Sequence, residues 1–264
     1  MLLMQDKSCK TKEKYMKIIY TSVLGCPKNI LNKKIKAQAF ENINSFVDTL
    51  KLKLDKELII TFITNRWQTK TPKNQPVDEV FNDYHYTNKE YAKCLAKCFK
   101  LSGFKIKKLI IVDCEYKGNL KEDIESSNLV FVQGGHTPRG LKILKDINFN
   151  YATANYNGFV MFTGTSAKLP ASKVLSTHHG SMTEFEIEEG LCLKNYSVRP
   201  HFSYTQEELK QEKVKNRITL IKEMSKEIKI IAIDGNSYIL DDNKEIKIFG
   251  EYHVFEGGEE ISKD

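Results

Sequence analysis

The sequence predicts an α/β fold: a mainly parallel sheet covered by helices on both faces, followed by a C-terminal antiparallel strand pair. Two patterns point to it. Near-continuous apolar runs rich in β-branched residues alternate with segments of helical apolar spacing, the mark of buried parallel strands. The last third instead shows a long charged amphipathic stretch and then short strands separated by turn residues. With 264 residues and no linker rich in Pro, Gly or Ser, the chain reads as one domain over 16–264, preceded by a lysine-rich tail, 1–15, expected to be disordered.

The elements follow in order. Lys17–Val23 reads as a strand. Lys33–Leu54 carries Ala37, Phe40, Ile43, Phe46, Val47, Leu50 and Leu54 at helical spacing, so a helix is expected there. Leu58–Thr64 is a second strand, and Asn65–Thr87, polar and containing proline, reads as a long loop. A helix over Lys89–Leu101 puts Tyr91, Cys94, Leu95 and Phe99 on one face. Lys108–Asp113 and Asn128–Val132 are strands, Pro138–Ile147 is a helix with proline near its first turn, and Gly158–Thr163 is a fifth strand. Gln206–Lys226 is the long charged helix; Ile228–Ile233, Ser237–Asp241, Glu245–Phe249 and His253–Phe255 are short strands.

Composition narrows the function. The hydrophobic fraction of 41% and mean hydropathy of −0.43 are those of an ordinary water-exposed globular chain. No apolar run approaches the ~18 residues of a membrane span, so no membrane partner is expected. The N-terminus lacks the apolar core of a signal peptide, which suggests a cytoplasmic protein. The net charge of +7 comes from dispersed lysines without interleaved arginine and aromatics, so no nucleic-acid partner is expected. The six cysteines form no CxxC pair, and with that location free thiols are expected. LGCPKN (Leu24–Asn29) matches the opening signature of radical-SAM methylthiotransferases, but the CxxxCxxC run that binds their cluster is absent.

Four segments place reactive groups at strand ends, where open α/β sheets bind ligands. In VFVQGGHTPRG a strand runs into Gly134-Gly135, with His136 and Thr137 before the next helix; backbone amides and a helix N-terminus there suit an oxyanion hole. In GTSAK, Ser166 follows a strand on a turn, and the Ala167 amide could face an oxyanion. In YSVRPHF, His201 follows the stiff Pro200 and could serve as a general base. In IIAIDGN, Asp234 ends a strand and could orient a histidine. Each segment alone is equally an ordinary turn or loop. His178-His179 is a rival pair in a polar stretch.

Together, in the order Ser166, His201, Asp234, the segments resemble peptidase E, the aspartyl dipeptidase group of serine peptidases (family S51). ESSNLVFVQGGHT is similar to the family's strand and G-G-N-T turn, with His136 for Asn. VRPHFS is similar to N-P-H-F, and EKVKNRITLIKEM to the arginine-containing helix that follows. The resemblance implies a flavodoxin-like three-layer sandwich related to class I glutamine amidotransferases. It implies Ser166 as nucleophile, His201 as base and Asp234 as its orienter. Gly135 and Ala167 become the oxyanion amides, and Gly134, His136, Thr137 and Lys168 line the substrate site. No cofactor or metal is implied, and the partner is a short peptide, Asp-X dipeptides included; a homodimer is open. Two departures stand out. The family's further acidic residue after the nucleophile falls on Ser181, and its S-A-G-A reads S-A-K-L here, with Lys168 for glycine. Lys168 could point outward, assist an acidic substrate, or mark lost activity. Two functions follow: a serine hydrolase working through an acyl-enzyme, or a non-catalytic homologue that binds a peptide or small molecule.

Overall fold

The computed structural model describes residues 16–25, 27–30, 34–65, 87–177, 185–205 and 207–261. In chain order its first half comprises β1 (Lys17–Thr21), β2 (Lys28–Ile30), β3 (Lys34–Lys36), α1 (Phe46–Lys53), β4 (Glu57–Ile63), α2 (Asn88–Leu101), β5 (Lys105–Val112), α3 (Leu120–Glu125) and β6 (Leu129–Val132). There follow α4 (Thr137–Asp146), α5 (Phe149–Ala152), β7 (Phe159–Thr163), β8 (Lys173–Thr177), β9 (Phe185–Glu189), β10 (Tyr196–Arg199) and α6 (Glu212–Ser225). The chain closes with β11 (Lys229–Ile233), β12 (Tyr238–Asp241), β13 (Ile246–Phe249), β14 (Tyr252–Glu256) and β15 (Glu259–Ile261).

The central sheet has seven strands in the order β13-β12-β1-β7-β6-β4-β5. The five from β1 to β5 are mutually parallel, and β12 and β13 add the expected antiparallel pair at the β1 edge. Strand alternation sends one set of side chains to each face. Ile19, Ile60, Phe62, Phe131 and Met161 pack with Val47, Leu50, Leu95 and Phe99 of α1 and α2. Ile18, Tyr20, Val130, Val160 and Phe162 pack with Leu141, Leu144 and Phe149 of α4 and α5. Both faces are thus covered, giving the α/β three-layer sandwich.

A second sheet, β10-β11-β14-β15, lies against the α4 side. Val198, Ile231 and Ile233 join the main core, while Ile230, Ala232 and Phe255 pack under Ile221 and Met224 of α6. The run read as Ile228–Ile233 therefore extends this sheet, parallel to β10 and antiparallel to β14.

The helix expected over Lys33–Leu54 is shorter. Residues 34–36 form β3, and α1 starts only at Phe46. Asn44 and Ser45 take φ of 52° and 59°, which no helix tolerates, and the Asn42 Oδ1 accepts the N–H of Val47 at 2.8 Å as a cap. The apolar spacing before that point comes from Ala37 and Phe40 packing on the α2 side without a helix. The charged helix likewise starts at Glu212, after a separate turn over Glu208–Lys210. Helices α3 and α5 escaped the sequence reading because each is too short for periodicity to register. The tail, most of the loop read at Asn65–Thr87, His178-His179 and Ser181 lie outside the described residues. Among the cysteines, Cys94, Cys98 and Cys114 are free, whereas Cys192 is disulfide-bonded, contrary to the expectation of thiols throughout. No helix among the described residues is long and apolar enough to cross a membrane.

Candidate functional site

The site forms where β1, β6 and β7 end side by side. Register fixes the level: Thr163 pairs with Thr21, and Phe162 with Val132. Strand β7 ends at Thr163, and the chain enters a tight helical turn over Gly164–Lys168. Gly164 opens that turn with φ of +54°, a conformation in which a side chain is strained. A Cβ at Gly164 would stand 3.5 Å from Nε2 of His201. In a nucleophile elbow, the residue of positive φ at the strand end carries the attacking group. Here that residue is glycine.

Ser166 lies two residues further along and is 1% exposed. Its Oγ accepts the Thr163 N–H at 2.9 Å and lies 3.0 Å from the carbonyl oxygen of Val132 and 2.9 Å from that of Thr163. The hydroxyl thus fastens the turn to the ends of β6 and β7. No hydrogen bond joins it to His201.

His201 sits in the loop after β10 with φ of +55°. Its backbone N–H donates to Ser22 Oγ at 2.7 Å, and its Nδ1 lies 3.2 Å from the same oxygen. Because Ser22 Oγ already accepts the backbone N–H, its own hydrogen is free to point at Nδ1. The proton of the neutral ring is then assigned to Nε2, facing Gly164. Partial desolvation, then the charges of Arg199 and Lys168, hold the His201 pKa below its ordinary value. Asp234 does not orient this ring. Its Oδ1 accepts the Asn236 N–H at 2.7 Å and the Ser237 hydroxyl at 3.1 Å, closing the turn between β11 and β12. The structure therefore brings His201 to the strand ends, but joins it by hydrogen bonds to neither Ser166 nor Asp234; Ser22 takes the orienting place.

The Gly-Gly turn after β6 is built as its glycines require. A Cβ on Gly134 would meet the Thr163 carbonyl oxygen at 2.4 Å, and Gly135 has φ of +151°. The exposed Gly135 N–H donates to Thr165 Oγ1 at 2.8 Å, and that hydroxyl donates back to the Gly135 carbonyl. One expected oxyanion amide thus already holds a threonine hydroxyl. Ala167 is 1% exposed within the turn, and at an elbow formed by Gly164 the adjacent amide belongs to Thr165 instead. His136 occupies the N-cap position of α4 without a side-chain cap, and Thr137 is buried at its first turn.

Lys168 points inward. It is 6% exposed, and among the described residues its Nζ meets just the Leu175 carbonyl at 3.5 Å. Arg199, at the end of β10, lies near enough for its charge to act on Lys168. Its Nη1 is buried with no hydrogen-bond partner among the described residues. Desolvation, then Arg199, pushes the Lys168 pKa well below the ordinary lysine value; desolvation, then Arg217, holds Arg199 down to about 10. Among the described residues no group of three or more His, Cys, Asp or Glu is placed to hold a metal ion.

Comparison with known proteins decides the family. The model of peptidase family S51 matches residues 81–249, more than half of the chain. The chain belongs to peptidase family S51. Among solved structures, it is similar to the crystal structure of a Listeria monocytogenes EGD-e protein provisionally named peptidase E. The TM-score is 0.52 at 14% identity, over 88% of this chain and 97% of the other. That likeness supports the flavodoxin-like architecture. No curated protein matches the chain.

Within the S51 frame, the sequence reading located the segments; the structure gives the positive φ of the turn to Gly164, two residues before Ser166. Reading G-T-S-A against the family's G-x-S-A selects Ser166. The signal available was the glycine itself, which alone among the turn residues takes positive φ without strain. Ser22 and Arg199 were missed as site residues, Ser22 because a buried serine one residue past a strand carries no motif.

Proposed function

We propose that this S51 member does not hydrolyse peptides through a serine nucleophile and instead binds a peptide or small molecule at the strand ends. One observation carries the reading: the elbow position whose Cβ would stand 3.5 Å from His201 Nε2 is Gly164, which has no side chain. Three further features support it. Ser166 is engaged with backbone groups of both neighbouring strand ends, the Gly135 amide with Thr165, and Asp234 with its own turn. An acyl-enzyme needs a nucleophile and a base within hydrogen-bond reach; among the described residues the serine that reaches the His201 ring is Ser22, which is buried and already accepts the His201 backbone N–H.

The hydrolase reading draws on family membership and on His201 standing at the site. It requires Ser166 Oγ to leave Val132 and Thr163 and cross the turn. Labelling with a fluorophosphonate probe separates the two. No labelling of the wild-type chain is expected, with a peptidase E treated in parallel as the positive control. Labelling of the wild type that disappears in Ser166→Ala refutes the binding reading and restores Ser166 as nucleophile.

A further inference from the structure

Lys168 and Arg199 present a physical problem that the fold itself does not resolve. Lys168 lies in the turn after β7 and Arg199 at the end of β10, near enough for their charges to interact. Lys168 is more than nine-tenths buried, with a single weak backbone contact at 3.5 Å among the described residues. The Arg199 Nη1 is buried without a partner among them. No carboxylate among the described residues pairs with either, whereas the largely covered Lys194 has Asp241 at 2.7 Å. Burying a cation without a counter-charge is costly, and arginine cannot escape the cost by losing its proton. A third group of the same tendency, His201, shares their field. Three groups that are cationic or become so, within reach of one another's charge and without an anion among the described residues, describe a site whose counter-charge arrives from solution.

We propose that Lys168 and Arg199 form a binding site for the oxyanion of a small molecule, a carboxylate or a phosphate, entered from the side of the exposed His201. The planar guanidinium suits two oxygens of one anion, and the ammonium adds a compact charge beside it. The Nε2–H of His201, directed at the gap over Gly164, supplies a third donor to whatever the anion is attached to. Both cations stand where this chain departs from the family's motifs, S-A-K-L for S-A-G-A and R-P-H-F for N-P-H-F. The site goes beyond the reading above, since it holds an anion whether or not the chain hydrolyses anything.

Thermal unfolding of the full chain, titrated with inorganic phosphate and separately with succinate, tests it. Sodium chloride at matched ionic strength is the reference. One or both anions should raise Tm above the chloride series at up to tens of millimolar, and the anion that does so names the chemistry of the ligand. Isothermal titration with that anion should show at least a tenfold loss of affinity in Lys168→Met and in Arg199→Met. Arg199→Lys keeps the charge but lacks the fork, so it should weaken binding less than Arg199→Met. The assignment is overturned if neither anion moves the wild-type Tm beyond chloride, or if binding survives both methionine substitutions undiminished. Should a methionine variant fail to fold, the wild-type titration and Arg199→Lys still decide.

Discussion

At the scale of single residues, the site turns on which atom faces His201. Gly164→Ser would place a hydroxyl beside Nε2, since a Cβ there has 3.5 Å of clearance from that nitrogen. The positive φ costs about 1–2 kcal/mol, which Tm would register; with the ring proton moved to Nδ1, where Ser22 Oγ can accept it, Nε2 is free to act as base, and the variant is expected to gain fluorophosphonate labelling absent from the wild type. Ser166→Ala is expected to behave as a structural change. It leaves the buried Thr163 N–H without its partner, at a cost of about 1–3 kcal/mol, read as a lowered urea midpoint. A serine held for catalysis would give little or no such loss. The titrations have a definite sign. The folded pKa values of His201 and Lys168 are both depressed, so each contributes stability that is fully present above its unfolded value. Stability should therefore fall as pH drops below the ~6.5 of a free histidine, and His201→Gln should flatten that fall. On the alkaline side, stability should rise as pH approaches the ~10.4 of a free lysine, and Lys168→Met should remove the rise. Chemical denaturation across pH measures both.

At the scale of elements, legibility followed the physics of each segment. The five parallel strands were readable because burial on both faces demands unbroken apolar runs. Helix α2 was readable too, and the structure adds a capping box in which Glu90 N–H donates to Thr87 Oγ1 at 3.2 Å and Thr87 N–H to Glu90 Oε2 at 2.7 Å. What misled was a tertiary effect in each case. Phe40 packs on Phe99 at 4.7 Å between ring centroids, in an irregular segment, and so imitates the helical period that continues into α1. In GTSAK the strand end at Thr163 was legible, but the positive φ of the following turn falls on Gly164 and not on Ser166, which the motif alone does not show. Asn42→Ala tests the start of α1. Losing the side-chain acceptor of the Val47 and Asp48 amides should cost about 1 kcal/mol, visible as a lower Tm.

At the scale of the whole molecule, the two sheets are joined by a buried polar contact as well as by the core. Tyr196 of β10 donates to Asp241 of β12 at 2.6 Å, and Lys194 pairs with the same carboxylate oxygen at 2.7 Å. Removing one partner of a buried pair strands the other, so Lys194→Met should lower stability by about 3–5 kcal/mol in equilibrium urea unfolding. A far smaller effect would mean that water reaches Asp241. This link also bears on the site, because it helps set where β10, and hence Arg199 and His201, lie relative to β7.

The Thr165 hydroxyl on Gly135 has a consequence for any ligand carbonyl that approaches the glycine turn. Such a carbonyl does not compete with dilute water. It competes with an internal oxygen tethered one residue from the elbow, whose effective molarity exceeds that of any free solute. The amide is occupied in the resting protein, so a newcomer there gains only the difference between two hydrogen bonds, and whatever selectivity the site has must come from the rest of the ligand.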